Sequence, residues 1–280
     1  MSENSNSTDT SVEQEAPFMS HLVELRDRLL RAVLVVLVVF LALFTFSNEL
    51  YSLLAEPLLR HLPQGSSMIA TEVASPFLTP FKLSMVTAIF ISMPFILYQL
   101  WAFVAPGLYK HEKSMAFPLL FSSIILFYLG MVFAYFVVFP LMFGFFTGIQ
   151  LQGVTMMTDI TKYLDFVLKM FFAFGMAFEV PIATIIVIAT GMTTAEKLAD
   201  KRPFIIVIAF IVGMLLTPPD VVSQMLLAIP MWVLFELGLV FSRLLSRKRE
   251  RLAKEREKQE EQELDDEFEK AIAEEEKLNK

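Results

Sequence analysis

Six long apolar runs, separated by more polar connections, follow one another between residues 29 and 241 of this chain. The runs are continuous and do not alternate between apolar and polar residues, and most approach the ~20 residues that a membrane-spanning helix needs. Strands of membrane β-barrels would show alternation instead. The pattern therefore predicts an all-α polytopic membrane protein with six spanning helices, at about 29–46, 81–105, 117–139, 163–189, 203–216 and 221–241.

The fifth run, 203–216, is the shortest. At about 1.5 Å per residue it reaches near 21 Å, against a hydrocarbon core of about 30 Å. It can still span if the bilayer thins locally, which costs only fractions of a kcal/mol per Å of mismatch. The alternative is a hairpin of the fifth and sixth runs, inserted from the cytoplasm. We favour true spans.

Polar segments flank the apolar part of the chain. Residues 1–17 are rich in Ser, Thr, Asn and Glu, which predicts a disordered tail. The start is not basic and no cleavage site of small residues follows the first run, so a removable signal peptide is not expected. Residues 243–280 begin basic and become acidic, which is typical of an exposed helix or a disordered tail. A membrane domain over 18–242 lies between the tails.

Basic residues are concentrated in alternate connections between the runs. They are Arg26 and Arg28 before the first run, Lys110 and Lys113 after the second, Lys197, Lys201 and Arg202 after the fourth, and Arg243, Arg247, Lys248, Arg249 and Arg251 after the sixth. Lys and Arg near helix ends are retained in the cytoplasm. Both termini are therefore predicted to be cytoplasmic.

Prolines interrupt the runs at Pro94, Pro118, Pro140, Pro181 and Pro230. Each removes a backbone donor and favours a kink, although membrane helices also tolerate proline without functional consequence. Taken together they predict kinked helices that form a concave wall. The long external connection, 47–80, carries short apolar patches, one of which includes Pro57, and is predicted to form interfacial helices in a structured cap.

Composition limits the chemistry. Hydrophobic residues make up 55% of the chain, there is no Cys, and the three His are His21, His61 and His111. This excludes disulfides, thiolate metal sites and a Cys nucleophile, and no Gly-rich phosphate loop is present. We expect no catalytic activity, no cofactor, no metal and no nucleic-acid partner.

Two carboxylates, Glu24 and Glu112, fall on the predicted cytoplasmic side. Glu24 lies four residues before Arg28, so an ordinary i,i+4 ion pair is one interpretation. Glu112 can equally be a solvated loop carboxylate. The other interpretation is that both bind a cationic ligand on one surface.

Glu179 lies in the middle of the fourth run, where an ionised carboxylate costs several kcal/mol unless it is paired, protonated or wet. It either hydrogen-bonds another helix of the chain around Pro181 or accepts a polar group from a partner helix. Near the fifth and sixth runs, Asp220 either caps a helix or has a specific role, and Gln224 can bond a partner. Met214 and Leu215 are partner contacts or lipid-facing residues.

Several strings together resemble the TatC family of the twin-arginine protein translocase. They are HLVELRDR (21–28), VASPF (73–77), WAFVAPGLYKHE (101–112), FAYFVVFP (133–140), FGMAFEVP (174–181) and LLTPPD (215–220). The resemblance implies a receptor that binds signal peptides with consecutive arginines. It also implies gradient-driven transport of folded cargo proteins across the cytoplasmic (inner) membrane, in a multimeric complex with single-span TatA and TatB partners.

The resemblance also implies roles for individual residues. Glu24 and Glu112 would pair with the signal arginines, whose planar guanidinium groups match carboxylates better than lysine does. Phe103 would contact an apolar signal residue, and Arg26 and Arg28 would position Glu24 or meet the signal backbone. The remaining candidates are Glu179, Met214, Leu215 and Gln224 for partner helices, and Pro57 and Asp220 for structure or translocation.

A secondary transporter and an intramembrane hydrolase are the competing interpretations. The chain shows neither the two-half symmetry nor the midplane cluster of ionisable groups that is typical of transporters. A hydrolase would need a nucleophile with its base, and all three His fall outside the apolar runs.

Overall fold

The chain folds into helices. The computed structural model describes residues 9–59, 69–108, 116–148, 157–216 and 221–278. The helices are α1 (Asp9–Leu43), α2 (Ser47–Leu59), α3 (Ser75–Leu108), α4 (Ala116–Phe133), α5 (Phe139–Gly148), α6 (Ile160–Phe178), α7 (Val180–Ala189), α8 (Ala195–Ala199), α9 (Arg202–Leu216) and α10 (Val221–Leu278). A 3₁₀ turn, Phe44–Phe46, joins α1 to α2, and a π-helical turn, Ala134–Val138, joins α4 to α5.

Helices occupy every apolar run that the sequence predicts. Within the described ranges, five stretches are long and apolar enough to cross a membrane: Leu22–Leu53, Ser75–Phe103, Phe117–Phe146, Ile160–Ala189 and Val221–Arg247. The all-α, multi-pass membrane architecture is thus confirmed. The remaining apolar helix, Arg202–Leu216, is shorter than these, so the sixth span stays a prediction.

Both ends of the helical part extend past the predicted membrane domain. α1 begins at Asp9, inside the 1–17 segment for which the sequence predicts disorder, and α10 continues unbroken to Leu278. Glu and Ala are good helix formers, and extending an existing helix avoids the costly first turn. Of the two predictions for the C-terminal tail, an exposed helix or a disordered tail, the structure therefore shows the helix.

Helical hydrogen bonding is interrupted at two of the five prolines. The π-helical turn Ala134–Val138 precedes Pro140, and a turn at Glu179 separates α6 from α7 just before Pro181. Proline has no N–H for the carbonyl four residues earlier, so the ladder breaks there. Pro94 and Pro230 lie within continuous helices and Pro118 lies in the first turn of α4, where proline is tolerated. The regular α-helix is therefore broken just before Pro140 and Pro181 and continuous at the other three prolines.

The long helices pack antiparallel to their neighbours in sequence. Arg28 of α1 bonds Gln99 of α3. Further along α1, the ring of Phe40 lies 5.2 Å from that of Phe81, which comes earlier in α3. The two helices therefore run in opposite directions. α4 and α6 are also antiparallel. Ser123 of α4 bonds Glu179 at the end of α6. Phe133, later in α4, contacts Phe174 and Phe178, which come earlier in the chain than Glu179.

The core centres on α6. One broad face of this helix is buried, and aromatic rings from α3, α4 and α5 pack against it. Phe171 contacts Phe90 at 6.2 Å, Tyr135 at 6.5 Å and Phe139 at 5.1 Å between ring centroids. Ring pairs at such distances add to the burial energy of the side chains.

Two glycines allow helices to approach closely. A Cβ on Gly130 of α4 would lie 2.9 Å from the carbonyl carbon of Phe174 in α6, and one on Gly238 of α10 would lie 2.8 Å from the Cα of Pro181 in α7. Helix association in a membrane depends on such close packing, because lipid tails are as apolar as the helix surfaces.

The antiparallel packing defines two ends of the bundle. We call one the Glu24 end, where the C-terminal part of α3 and the starts of α4 and α9 also lie. The other is the Asp159 end, where α2 and the start of α6 lie.

At the Asp159 end, the chain after α2 is bonded to the start of α6. Ile69 N donates to Thr158 O at 3.0 Å, and Ile160 N donates to Ile69 O at 2.9 Å. Asp159 caps α6 through Oδ1, which accepts from the backbone N–H groups of Thr161 and Lys162 at 2.9 and 3.0 Å. Its other oxygen, Oδ2, accepts from the N–H of Thr71 at 3.0 Å and also from the hydroxyl.

The hydroxyl of Thr71 and the backbone N–H groups around Asp159 hold the pKa of this carboxyl at about 2. The cap is therefore charged throughout the neutral pH range. A salt bridge between Lys82 of α3 and Asp165 of α6 adds a second link at this end. The described part of the predicted external cap is thus structured.

Gly130→Ala is expected to lower the free energy of unfolding by about 1–3 kcal/mol, because the added methyl group forces α4 away from Phe174. The measurement is the thermal unfolding midpoint of the full chain in detergent.

Gly144→Ala is the matched control, since its Cβ would meet nothing within 4 Å. It should leave the midpoint unchanged or raise it slightly, because Ala favours helix over Gly. Equal midpoints for the two variants would contradict the close crossing at Gly130.

Candidate functional site

Glu24 belongs to a hydrogen-bonded chain of side chains that joins α1 to α3. Its Oε1 accepts from Nε of Arg28 at 2.9 Å and from Nη2 at 2.6 Å. Nη1 of Arg28 then donates to Oε1 of Gln99 at 3.3 Å. The i,i+4 ion pair allowed by the sequence is therefore present. The Glu24 side chain remains 39% exposed, so a ligand can still reach its carboxylate.

Arg26 turns away from this chain of contacts. Its Nε and Nη2 donate to Oδ1 of the adjacent Asp27 at 3.0 and 2.8 Å, and both side chains are well exposed. Arg28, and not Arg26, is therefore the arginine that positions Glu24 in this structure.

Phe103 lies one helical turn after Gln99 on α3, so the two share a face of that helix. Arg28 contacts Gln99, and α1 and α3 are antiparallel. Phe103 and Glu24 therefore both lie beyond that contact in the direction of the Glu24 end. Phe103 is half-buried. Glu112, the second predicted carboxylate, follows the end of α3 and lies outside the described residues.

Glu179 occupies the turn between α6 and α7. The hydroxyl of Ser123 in α4 donates to Oε2, while Oε1 is buried and has no hydrogen-bond partner among the residues that the structure describes. The expected bond to another helix of the chain therefore exists, but it satisfies only one oxygen. A buried acceptor without a donor is costly, and a hydrogen bond from an added donor would recover that free energy.

The partner-contact candidates Met214 and Leu215 lie at the C-terminal end of α9, whereas an ion pair with α10 lies at its N-terminal end. Arg202, at the start of α9, pairs with Glu236 of α10, and Nη2 bonds Oε2 at 3.0 Å. Met214 and Leu215, at the other end, are 64% and 75% exposed. Gln224 of α10 is half-buried there, with its Cα 3.7 Å from a Cβ built on Gly213.

The four partner-contact candidates therefore form two groups and not one. Glu179 lies at the level of the α9 start, because Gly238, close to Glu236 in α10, packs on Pro181. Met214 is about 18 Å from that level along α9 at 1.5 Å per residue. Asp220 lies outside the described residues. Pro57 lies within α2, and its side chain is likewise outside the described part.

Several residues of these sites were not singled out from the sequence. Ser123 and Gln99 are uncharged, and only the packing of α4 on α6 and of α1 on α3 gives them their partners. A polar residue inside an apolar run was the available signal, and both residues fit it. Within the described ranges, no group of three or more His, Asp or Glu side chains is arranged to hold a metal ion.

Comparison with known proteins gives one consistent family. Residues 20–230 match the family model described as Sec-independent protein translocase protein (TatC). The chain is 58% identical over 229 residues to the Sec-independent protein translocase protein TatC of Azotobacter chroococcum mcd 1, covering 82% of this chain and 90% of that protein. It is 59% identical over 234 residues to the Haemophilus influenzae protein of the same name (84% and 91%), and 57% identical over 233 residues to that of Escherichia coli K12 (83% and 90%).

The fold is also similar to a solved structure of the same family. The crystal structure of the twin arginine translocase receptor TatC superposes with a TM-score of 0.73 at 38% sequence identity. The match covers 81% of this chain and 99% of that one.

Ser123→Ala is expected to reduce the free energy of unfolding by about 1–3 kcal/mol, because it removes the hydroxyl that bonds Glu179 and leaves the buried carboxyl without it. The check is thermal unfolding in detergent, with Ser122→Ala, which removes the neighbouring hydroxyl, as the control.

A double-mutant cycle makes this test specific. In a Glu179→Leu background, Ser123→Ala should cost much less than in the native chain, since the bond is already absent. An undiminished cost there would mean that Ser123 stabilises the protein by some other contact.

Proposed function

The chain belongs to the TatC family of Sec-independent protein translocase proteins, and on this premise we propose that it is a receptor for twin-arginine signal peptides. It binds such peptides on folded cargo proteins and, with TatA and TatB single-span partners in a multimeric complex, moves the cargo across the cytoplasmic (inner) membrane. Energy comes from the membrane gradient, because the sequence holds no nucleotide-binding loop.

The observation that carries this proposal is the position of Glu24. Its carboxylate is accessible and is oriented by Arg28, which is itself bonded to Gln99 of the next helix. A carboxylate held in one orientation loses little freedom when it pairs with a guanidinium fork. Glu112, which follows α3 along the chain, is the second carboxylate that we assign to the arginine pair.

The other signal contacts follow from the same surface. Phe103, half-buried one turn beyond Gln99, offers an apolar contact to the residue after the arginines. Arg26 stays paired with Asp27, so its role is with the signal backbone more than with Glu24.

The apolar part of the signal follows an apolar groove of about 560 Å³ between α2, α3, α4 and α6. Its lining includes Leu50, Phe90, Tyr128 and Phe171. A hydrophobic helix gains free energy by covering such a wall in place of lipid through close packing.

We place the Glu24 end in the cytoplasm, with both termini, six spans and a membrane domain over 18–242 between two cytoplasmic tails. Basic residues at that end include Arg26, Arg28, Arg31, Lys197, Lys201, Arg202, Arg243 and Arg247, and more follow along α10, whereas the Asp159 end has Lys82, Lys162 and Lys169 among the described residues. The positive-inside rule counts basic residues, so this asymmetry supports the orientation.

Partner helices are assigned to the two groups described above. A spanning helix is about 30 Å long, so one partner helix can reach both Glu179 and the Met214, Leu215 and Gln224 group some 18 Å away. A polar partner side chain would supply the donor that Oε1 of Glu179 lacks among the described residues. Pro57 and Asp220 are assigned structural or translocation roles.

Glu24→Gln and Glu112→Gln should each weaken binding of a twin-arginine signal peptide by about 1–3 kcal/mol, because each loses a charge-assisted hydrogen bond. The readout is photo-crosslinking and affinity in nanodiscs, with a probe at Phe103 and peptides bearing two arginines or two lysines.

Glu49→Gln is the control, since this exposed carboxylate lies in α2, at the other end of the bundle. It should leave signal affinity unchanged. Unchanged affinity in both the Glu24 and Glu112 variants, or equal crosslinking of the lysine peptide, would show that this surface does not bind the arginines.

Val221→Cys should react with a membrane-impermeant thiol reagent added from outside, if α9 and α10 both span. The chain has no native Cys, so the labelling is unambiguous. Absence of labelling by the external reagent would favour the inserted hairpin instead, because its tip would not reach the outer surface.

A further inference from the structure

A polar cleft lies between the turn after α7 and the charged part of α10. It encloses about 660 Å³, and its lining includes Thr193, Thr194, Glu196, Arg243, Ser246 and Arg247. None of these residues belongs to the surfaces assigned to signal peptide or partner helices. The cleft therefore needs an explanation of its own.

Gly191 lines the cleft and lets the chain turn sharply between α7 and α8. Gly191 has φ +74°, a conformation that residues with a side chain rarely adopt, and it ends α7. Its N–H donates to the carbonyl of Ile188 at 3.0 Å, which closes the helix end. The chain can then turn at once into α8, whose cap Thr194 accepts from the N–H of Lys197 at 3.3 Å.

Two arginines line this space. Arg243 and Arg247 are four residues apart and share a face of α10. Neither forms an ion pair or hydrogen bond with any residue that the structure describes, and Arg243 is half-buried. Arg247 is exposed. Partial burial removes hydration from the Arg243 charge, so an anion in the cleft would offset a cost that no described residue offsets. The one carboxylate in the lining, Glu196, is exposed and leaves the cleft with a net positive charge.

The cleft also lies at the boundary of the apolar part of the bundle. Ile188, near the end of the apolar helix α7, forms part of the lining, and Arg243 follows Phe241, the last residue of the sixth apolar run. A ligand with a phosphate at one end and apolar chains at the other matches both surroundings at once. Soluble anions would use only the polar part.

We propose that this cleft binds the headgroup of an anionic phospholipid, with its phosphate between Arg243 and Arg247. The hydroxyls of Thr193 and Ser246 are available to donate to the phosphate or glycerol oxygens, and the acyl chains pass along α7 into the bilayer. The site ties the end of α10 to α7 and α8 through the lipid. The proposal is the same whichever side of the membrane this end of the bundle faces, so it does not rest on the proposed function.

Native mass spectrometry of the full chain in detergent tests the site, with dioleoyl phosphatidylglycerol and dioleoyl phosphatidylcholine as the two probes. The native chain should bind phosphatidylglycerol more tightly. Arg243→Gln with Arg247→Gln should weaken that binding at least about tenfold, because both cations act on the same phosphate. Phosphatidylcholine binding should change little.

Arg251→Gln with Lys254→Gln is the matched control, since it removes the same charge from exposed positions further along α10. It should retain the native affinity within about twofold. Glu196→Gln should act in the opposite direction and tighten phosphatidylglycerol binding, which a folding defect would not produce.

A third arm separates the lipid from free phosphate. Millimolar inorganic phosphate should not displace phosphatidylglycerol, since it lacks the apolar contacts. Displacement by phosphate, or equal loss of binding in the Arg243/Arg247 variant and the Arg251/Lys254 control, would overturn the proposal.

Discussion

Hydrocarbon surroundings offer a protein no hydrogen-bond partners, and this constraint determines most of the structure. Every backbone N–H and C=O within the bilayer must be bonded inside the chain, which makes the apolar runs helices. Where proline removes a donor, the chain responds locally, with a π-helical turn before Pro140 and a break before Pro181. The break at Pro181 in turn places Glu179 between two helices, beside α4.

Polar side chains meet the same constraint by pairing between helices. Arg28 links α1 to α3, Ser123 links α4 to Glu179, and Arg202 pairs with Glu236 between α9 and α10. Each bond adds to the close packing of the helices, which the glycine crossings and the aromatic core already bring together.

Sites for ligands occur where this pairing is incomplete. Oε1 of Glu179 is buried without a donor in the described part of the chain, and Arg243 and Arg247 form no ion pair there, although the exposed Glu196 lines the same cleft. Glu24 differs, because its partner Arg28 holds an accessible carboxylate in place. In the described part of the chain, this acceptor, this cationic cleft and this oriented anion are the places where we propose that molecules outside the chain bind.

The sequence by itself determined the helical class, the positions of the apolar helices and the family, because hydrophobic run length and local motifs are properties of consecutive residues. It also indicated Glu24 and Glu179 as unusual carboxylates. Only the tertiary structure decided their partners: Gln99 and Ser123 stand out as polar residues within apolar runs, but both are uncharged and distant in sequence from the groups they bond, so the sequence alone does not pair them. Helix packing also separated Glu179 from Met214 by depth, since position across a bilayer depends on how helices run and not on sequence spacing.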